Sequence, residues 1–123
     1  MRGIRRALRK PVMLDGLTSN LERYMDLLAV RQQLAAANIA NADTPGYQAQ
    51  DIDFQFEFAS LAQGQQPQII PSQGLKTKSD GNNVDLDRES RLLAENALRF
   101  SIASSLMKGQ IAQVKEAIKE GSN

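Results

Sequence analysis

The chain has 123 residues, 15 Lys and Arg against 14 Asp and Glu, and 41% apolar residues of which many are Ala. That length holds one small domain with a modest core. The chain has neither Cys nor His, which leaves no thiolate nucleophile, no Cys/His zinc site, no imidazole base and no Ser-His-Asp triad. No enzyme and no cofactor are expected, and the missing Cys suits an exported protein that avoids disulfides.

Residues 1–12 carry Arg2, Arg5, Arg6, Arg9 and Lys10 with no acid, about +5, against about −4 for the remainder. Pro11 and Asp15 break up the adjoining stretch, so no apolar signal-peptide core develops. No stretch approaches the ~20 apolar residues that span a bilayer. Residues 1–13 therefore read as a basic, disordered tail, without a Sec signal or membrane anchor. Five charges without interleaved aromatics or a basic helix downstream do not make a nucleic-acid interface.

A helix is expected over residues 15–43. Leu14, Leu17, Leu21, Tyr24, Leu28, Ala35 and Ala42 recur at steps of three, four or seven, which is one helical stripe. Ser19 with Glu22 suits a capping box, or Asp15 an earlier cap. After Leu34 the helix turns alanine-rich, with Arg31 and Asn38 on or near the stripe. Thr44 precedes Pro45, and Pro45-Gly46 suits the centre of a type II turn, so the helix ends there.

Residues 44–84 read as mostly irregular with short extended pieces. From Asp51 to Phe58 polar and apolar residues alternate, which predicts a half-buried strand or extended segment. On such a segment Asp51, Asp53 and Glu57 share the solvent face, a solvated edge rather than a catalytic carboxylate pair. Residues 63–81 have the Gln, Gly, Pro and Ser content of a flexible loop, in which Ile69-Ile70 is an edge strand or local anchor.

A second helix is expected over residues 85–120. Leu86, Leu93, Phe100, Met107 and Val114 recur every seven residues, beside a row of Ala97, Ser104, Ile111 and Ile118. Such repetition argues for a coiled-coil seam. Asp80 to Glu89 does not form a calcium loop, because Val84 sits where an oxygen ligand is required and Asp85 where the Gly belongs. Asp85, Asp87 and Glu89 instead suit a helix start, Lys115 and Lys119 its last turns, and Gly121 its stop before Ser122 and Asn123 fray. Helices of roughly 40 and 50 Å imply a rod-shaped, mainly α body, a coiled-coil-like pair joined by an irregular, short-β segment. Alanine buries little area, so the two helices alone would be marginal; packing between chains as well as within one is expected.

The string from Ala37 to Tyr47 closely resembles the amino-terminal signature of flagellar rod, hook and hook-associated proteins: Asn38, Ile39, Ala40 and Asn41, then Thr44, Gly46 and Tyr47 at the family's spacing. Asn38 and Asn41, three apart, share a helix face where they can bond a neighbouring backbone, and Tyr47 can anchor the turn. Gly81-Asn82-Asn83-Val84-Asp85-Leu86-Asp87-Arg88-Glu89, with Leu93 and Asn96 to Phe100, resembles the carboxy-terminal rod motif, above all in the short proximal-rod (FlgB-type) family. Asp51-Ile52-Asp53-Phe54 and the short connection point the same way. The likeness covers residues 14–120 as one rod-protein domain; the basic leader departs from it and residues 63–78 match nothing distinctive.

The resemblance implies a structural subunit of the flagellar basal-body rod in the cell envelope, exported by the flagellar type III system. Its implied partners are copies of itself, FlgC-like rod proteins and the membrane-ring adapter FliE, with no nucleic acid and no small-molecule substrate. Assembly is expected to use Leu21, Tyr24 and Leu28, the signature residues Asn38, Ile39, Asn41, Thr44, Gly46 and Tyr47, and the last helix from Leu86, Leu93, Asn96 and Phe100 to Met107, Ile111, Val114 and Ile118. The alternatives are a FlgC-like sister or a cytoplasmic helical adapter or export chaperone.

Overall fold

A computed structural model describes residues 2–60 and 65–121, with side chains described from residue 16 onward. Among the described residues the elements run in the order α1 (Arg2–Ala40), β1 (Gln50–Ile52), α2 (Phe54–Ser60), β2 (Ile69–Pro71) and α3 (Leu86–Gly121). The mainly α architecture expected from the sequence is present, with the long first and last helices packed together. At 39 and 36 residues they run about 58 and 54 Å. The pair is antiparallel. Asn82, just ahead of α3, bonds the backbone just after α1, while Leu17 and Leu21 of α1 share a groove with Ile102 and Leu106 far along α3.

Helix α1 begins well before residue 15. The backbone of residues 2–13 is helical rather than a disordered tail; its side chains, and that of Leu14, lie outside the described residues. Arg, Ala and Leu are good helix formers, and extending an existing helix needs no new nucleus. Asp15, Ser19 and Glu22 consequently sit inside the helix, not at a cap. Helix α1 ends at Ala40, three residues before the expected 43, and residues 41–43 already form turn. Gly46 has φ +76, Tyr47 N–H donates to the Thr44 carbonyl at 3.2 Å, and Pro45-Gly46 is the centre of the turn.

The alternating run does not stay extended. Within it the strand is limited to Gln50–Ile52, paired antiparallel with β2 so that Asp51 faces Ile70 and Ile52 faces Ile69; the edge-strand reading of Ile69-Ile70 holds. Asp53 Oδ1 then accepts from the Phe56 N–H at 3.1 Å, an N-cap that starts α2. Helical winding puts Phe54 and Phe58, four apart, on one face. Both meet the Tyr24 ring edge-on, at 5.4 and 5.7 Å between centroids, while Phe56 is left 63% exposed. Three phenylalanines at period two fit a strand, but the cap and the Tyr24 contact select the helix.

The line that α3 buries is also shifted from the expected seam. Its buried residues are Glu89, Asn96 and Ala103, again at intervals of seven. The apolar row runs alongside: Leu93, Met107 and Val114 are half-buried, whereas Leu86 and Phe100 are 49% and 42% exposed. Small Ala103 allows close approach to α1, and the pairing of Glu89 with Arg88 holds the polar line inward. Leu27, Leu28 and Ala35 are the buried apolar residues of α1 among those described. A second small core of Ala42, Ala49 and Val84, flanked by Tyr47 and Leu75, closes the end where α1 finishes and α3 begins.

Candidate assembly surface

Three asparagines build a clasp, in which Asn38 fixes the chain after the first motif and Asn82 and Asn83 tie the second motif to it. Asn38, buried on α1, donates from Nδ2 to the Gln50 carbonyl at 2.9 Å and accepts on Oδ1 from the Gln50 N–H at 3.0 Å. Its amide thus pairs with β1 as a neighbouring strand would. Tyr47 Oη donates to the same Oδ1 at 3.3 Å. Asn82, fully buried, donates to the carbonyls of Asn41 and Thr44 at 2.8 and 2.9 Å, adding a second hydrogen bond to each beside those from the Thr44 and Tyr47 amides. Asn83 Oδ1 accepts from the Ala49 N–H at 2.7 Å. Between them two glycine backbones touch. Gly81 has φ +86, and a Cβ there would sit 3.3 Å from the Cα of Gly46. Only glycine suits such an approach in that conformation.

Beside this clasp lies a buried ionic knot. Arg31 of α1 grips Asp51 of β1 with both Nε and an η nitrogen at 3.0 Å, the planar fork that guanidinium makes with carboxylate. Arg88 of α3 donates to Asp51 Oδ2 at 3.0 Å, the oxygen that the Arg31 η nitrogen also holds, and to Glu89 Oε1 at 2.7 Å. One carboxylate therefore joins α1, β1 and α3. A second pair, Arg23 and Glu57, stands at 3.8 Å; Glu57 also accepts from the Gln68 N–H, and Arg23 donates to the Gln65 carbonyl. The expected solvated edge is overturned: Asp51 and Glu57 are buried and paired, and of the three Asp53 alone is exposed. No set of three Asp or Glu among the described residues could hold a metal ion.

The expected assembly residues divide between these interiors and the open surface. Asn38 lies inside its own chain; Asn41 donates to the Ala37 carbonyl and accepts from Thr44 Oγ1, so the signature binds its own backbone. Tyr47 and Gly46 belong to the clasp, Ile39 is half-buried beside it, and Thr44 is exposed while its carbonyl serves Asn82. Leu28 is buried, with Leu21 and Tyr24 half-buried. On α3 Asn96 is buried, and Leu86, Phe100, Ile111 and Ile118 are exposed.

The helix pair carries an apolar groove on each flank. The first, about 480 Å³, is lined by Leu28, Ala29, Gln32, Gln33, Asn96, Ala97 and Phe100. The second, about 390 Å³, lies on the α2 side, where Phe58 joins Leu17, Leu21, Tyr24, Ile102 and Leu106. At 3.6 residues per turn Ala97 and Phe100 fall on one side of the buried Asn96–Ala103 line, and Ile102 and Leu106 on the other. The sequence reading missed Leu98, Ile102 and Leu106, all more than half exposed; their spacing of four was the available signal. It also missed Asn82 and Asn83 as the clasp's donors and acceptors, and Asp51 as a buried ion.

Residues 25–48, from α1 through the turn, match the family model for "Flagella basal body rod protein". Across nearly its whole length the chain is similar to flagellar basal body rod protein FlgB of Escherichia coli K12, 36% identical over 89% of this chain and all of that protein. FlgB of Yersinia ruckeri is 32% identical over 88% of this chain and 97% of its own. FlgB of Borrelia hermsii is 30% identical over 79% and 91%. The family-model match ends within the clasp, one residue after Tyr47.

Proposed function

This chain belongs to the FlgB family of flagellar basal body rod proteins, and from that premise we propose how its geometry serves the rod. It is a structural subunit of the basal-body rod. It works by packing, not by catalysis, in the proximal segment. Its neighbours there are copies of itself, FlgC-like subunits and the membrane-ring adapter FliE, and it arrives through the flagellar type III export channel.

The observation that carries this reading is the division of labour along the helix pair. At one end the clasp and the Asp51 knot use up the signature residues within the chain. Along the rest, both flanks present apolar side chains to solvent: Phe100 is 42% exposed on one, Ile102 53% and Leu106 54% on the other. A small soluble monomer rarely leaves several such residues in rows. The clasp sets where the helices start and how they cross, and the open flanks are covered by neighbouring subunits. Ordering of the far helix ends is then offset by burial that only assembly supplies.

An in-frame deletion tests it. Cells lacking this protein should lose motility, with basal bodies that keep their membrane ring and have no rod; the wild-type gene supplied in trans should restore both. Motile cells after deletion would overturn the reading.

A further inference from the structure

The first groove differs from an ordinary apolar crease. In the seam around it two amide atoms are buried without a partner: Gln32 Oε1, an acceptor, and Asn96 Nδ2, a donor. Both residues line the groove, and Asn96 is only 3% exposed. Buried amide atoms without partners are costly and rare. The groove therefore calls for an occupant that fills an apolar trough and brings hydrogen-bonding groups able both to donate and to accept. It carries no charged residue, so it does not select an ion.

The same chain exposes a matching ridge on α3, which starts on the outer face at Leu98 and runs to the wall of the second groove at Ile102 and Leu106. Leu98 and Ile102 stand four apart, about 6 Å along the axis, with Leu106 a further turn on. Ser101 and Ser105 accompany them, and all five are exposed. Residues four apart form the ridges that fit grooves on neighbouring helices. A serine hydroxyl can donate to Gln32 Oε1 and accept from Asn96 Nδ2. Surface area allows for it. The chain exposes 8903 Å², where a compact protein of 13.5 kDa exposes about 6,500 Å². The surplus is roughly three times what one partner contributes to a standard interface.

We propose that the Leu98–Ile102 ridge of one copy, with Ser101 and Ser105, seats in the Leu28–Gln32–Asn96–Phe100 groove of the next. The inference rests on the rod reading and specifies the contact it requires. Ridge and groove are different surfaces of one molecule. Each copy that docks leaves its own groove open for another, and such a heterologous contact extends into an open tube rather than closing as a pair.

The chain has no cysteine of its own, so cross-linking is clean. Ala29→Cys marks the groove and Ala94→Cys, one turn before Leu98, marks the ridge; both sites are exposed and Cys is close to Ala in size. Flagellated cells carry each variant alone or both in one chain, and their isolated basal bodies are treated with a short bis-maleimide. The doubly substituted chain should give a ladder of dimers, trimers and higher species, and each single variant should give none. Homotypic dimers from either single variant, or no ladder from basal bodies that contain the doubly substituted chain, would overturn this contact and leave the rod reading standing. Motile cells whose basal bodies lack the chain altogether would overturn both.

Discussion

The Asn82 side chain makes three hydrogen bonds from complete burial, donating to the Asn41 and Thr44 carbonyls and accepting from the Val84 N–H at 2.8 Å. Replacing it with alanine leaves the buried Val84 N–H without a partner and takes one of two hydrogen bonds from each of the two carbonyls, which keep those from the Thr44 and Tyr47 amides. At about 1–3 kcal/mol for a buried group left unpaired, and with some relaxation, Asn82→Ala should cost the clasp about 3 kcal/mol. Native-state hydrogen exchange reads this directly: protection of the Val84 and Gln50 amides should fall about a hundredfold, whereas α3 amides beyond Met107 should change little. Asp43→Ala, at an exposed neighbouring position, should leave all of them within about threefold. The two motifs were legible in the sequence as strings, but their pairing was not. Asparagine at 38, 41, 82 or 83 signals a helix end or a turn wherever it occurs. Which distant backbone group each one bonds is decided by tertiary contact across some forty residues, and one sequence carries no trace of that.

Helix α2 illustrates how elements are chosen when local pattern is ambiguous. From Asp51 to Phe58 the alternation is as good a strand as any in the chain, and its first three residues do belong to or abut one. The switch comes at Asp53, whose side chain caps the first turn of the helix. It is sealed by Tyr24, against which Phe54 and Phe58 both pack. Phe58→Ala removes half of that contact and should cost about 2 kcal/mol, less than the full burial value because the ring is half-buried. The equivalent change at the exposed Phe56 should cost under about 0.5 kcal/mol. Urea midpoints followed by tyrosine fluorescence will separate the two; equal losses would mean α2 does not pack this way in solution. The seam of α3 was misplaced for a related reason. Seven-residue periodicity marks several parallel rows on one helix, and the row that faces α1 is the polar one because Arg88 and Glu89 are drawn into the Asp51 knot. Apolar content alone selected the neighbouring row.

At the scale of the molecule, the surplus of exposed surface and the shortage of large buried side chains are one fact seen twice. Among the described residues, only Leu27 and Leu28 of the large apolar side chains are fully buried, so the helix pair has little to hold it straight away from the clasp. The dilute chain should therefore show less helix by far-ultraviolet circular dichroism than the assembled one, with a shallow urea transition that steepens on assembly. A steep transition at low concentration, and helicity that does not change on assembly, would contradict this. The clasp itself has a consequence for timing. Asn82 meets its acceptors 41 and 38 residues back along the chain, so the contact must close a wide loop and forfeit the corresponding entropy. Helix α1 and the turn after it involve only near neighbours and can form first. For any chain released amino terminus first, the carbonyls of Asn41 and Thr44 stay open until the segment through Val84 has emerged. Until that moment the long first helix has no fixed direction to hand on to the second.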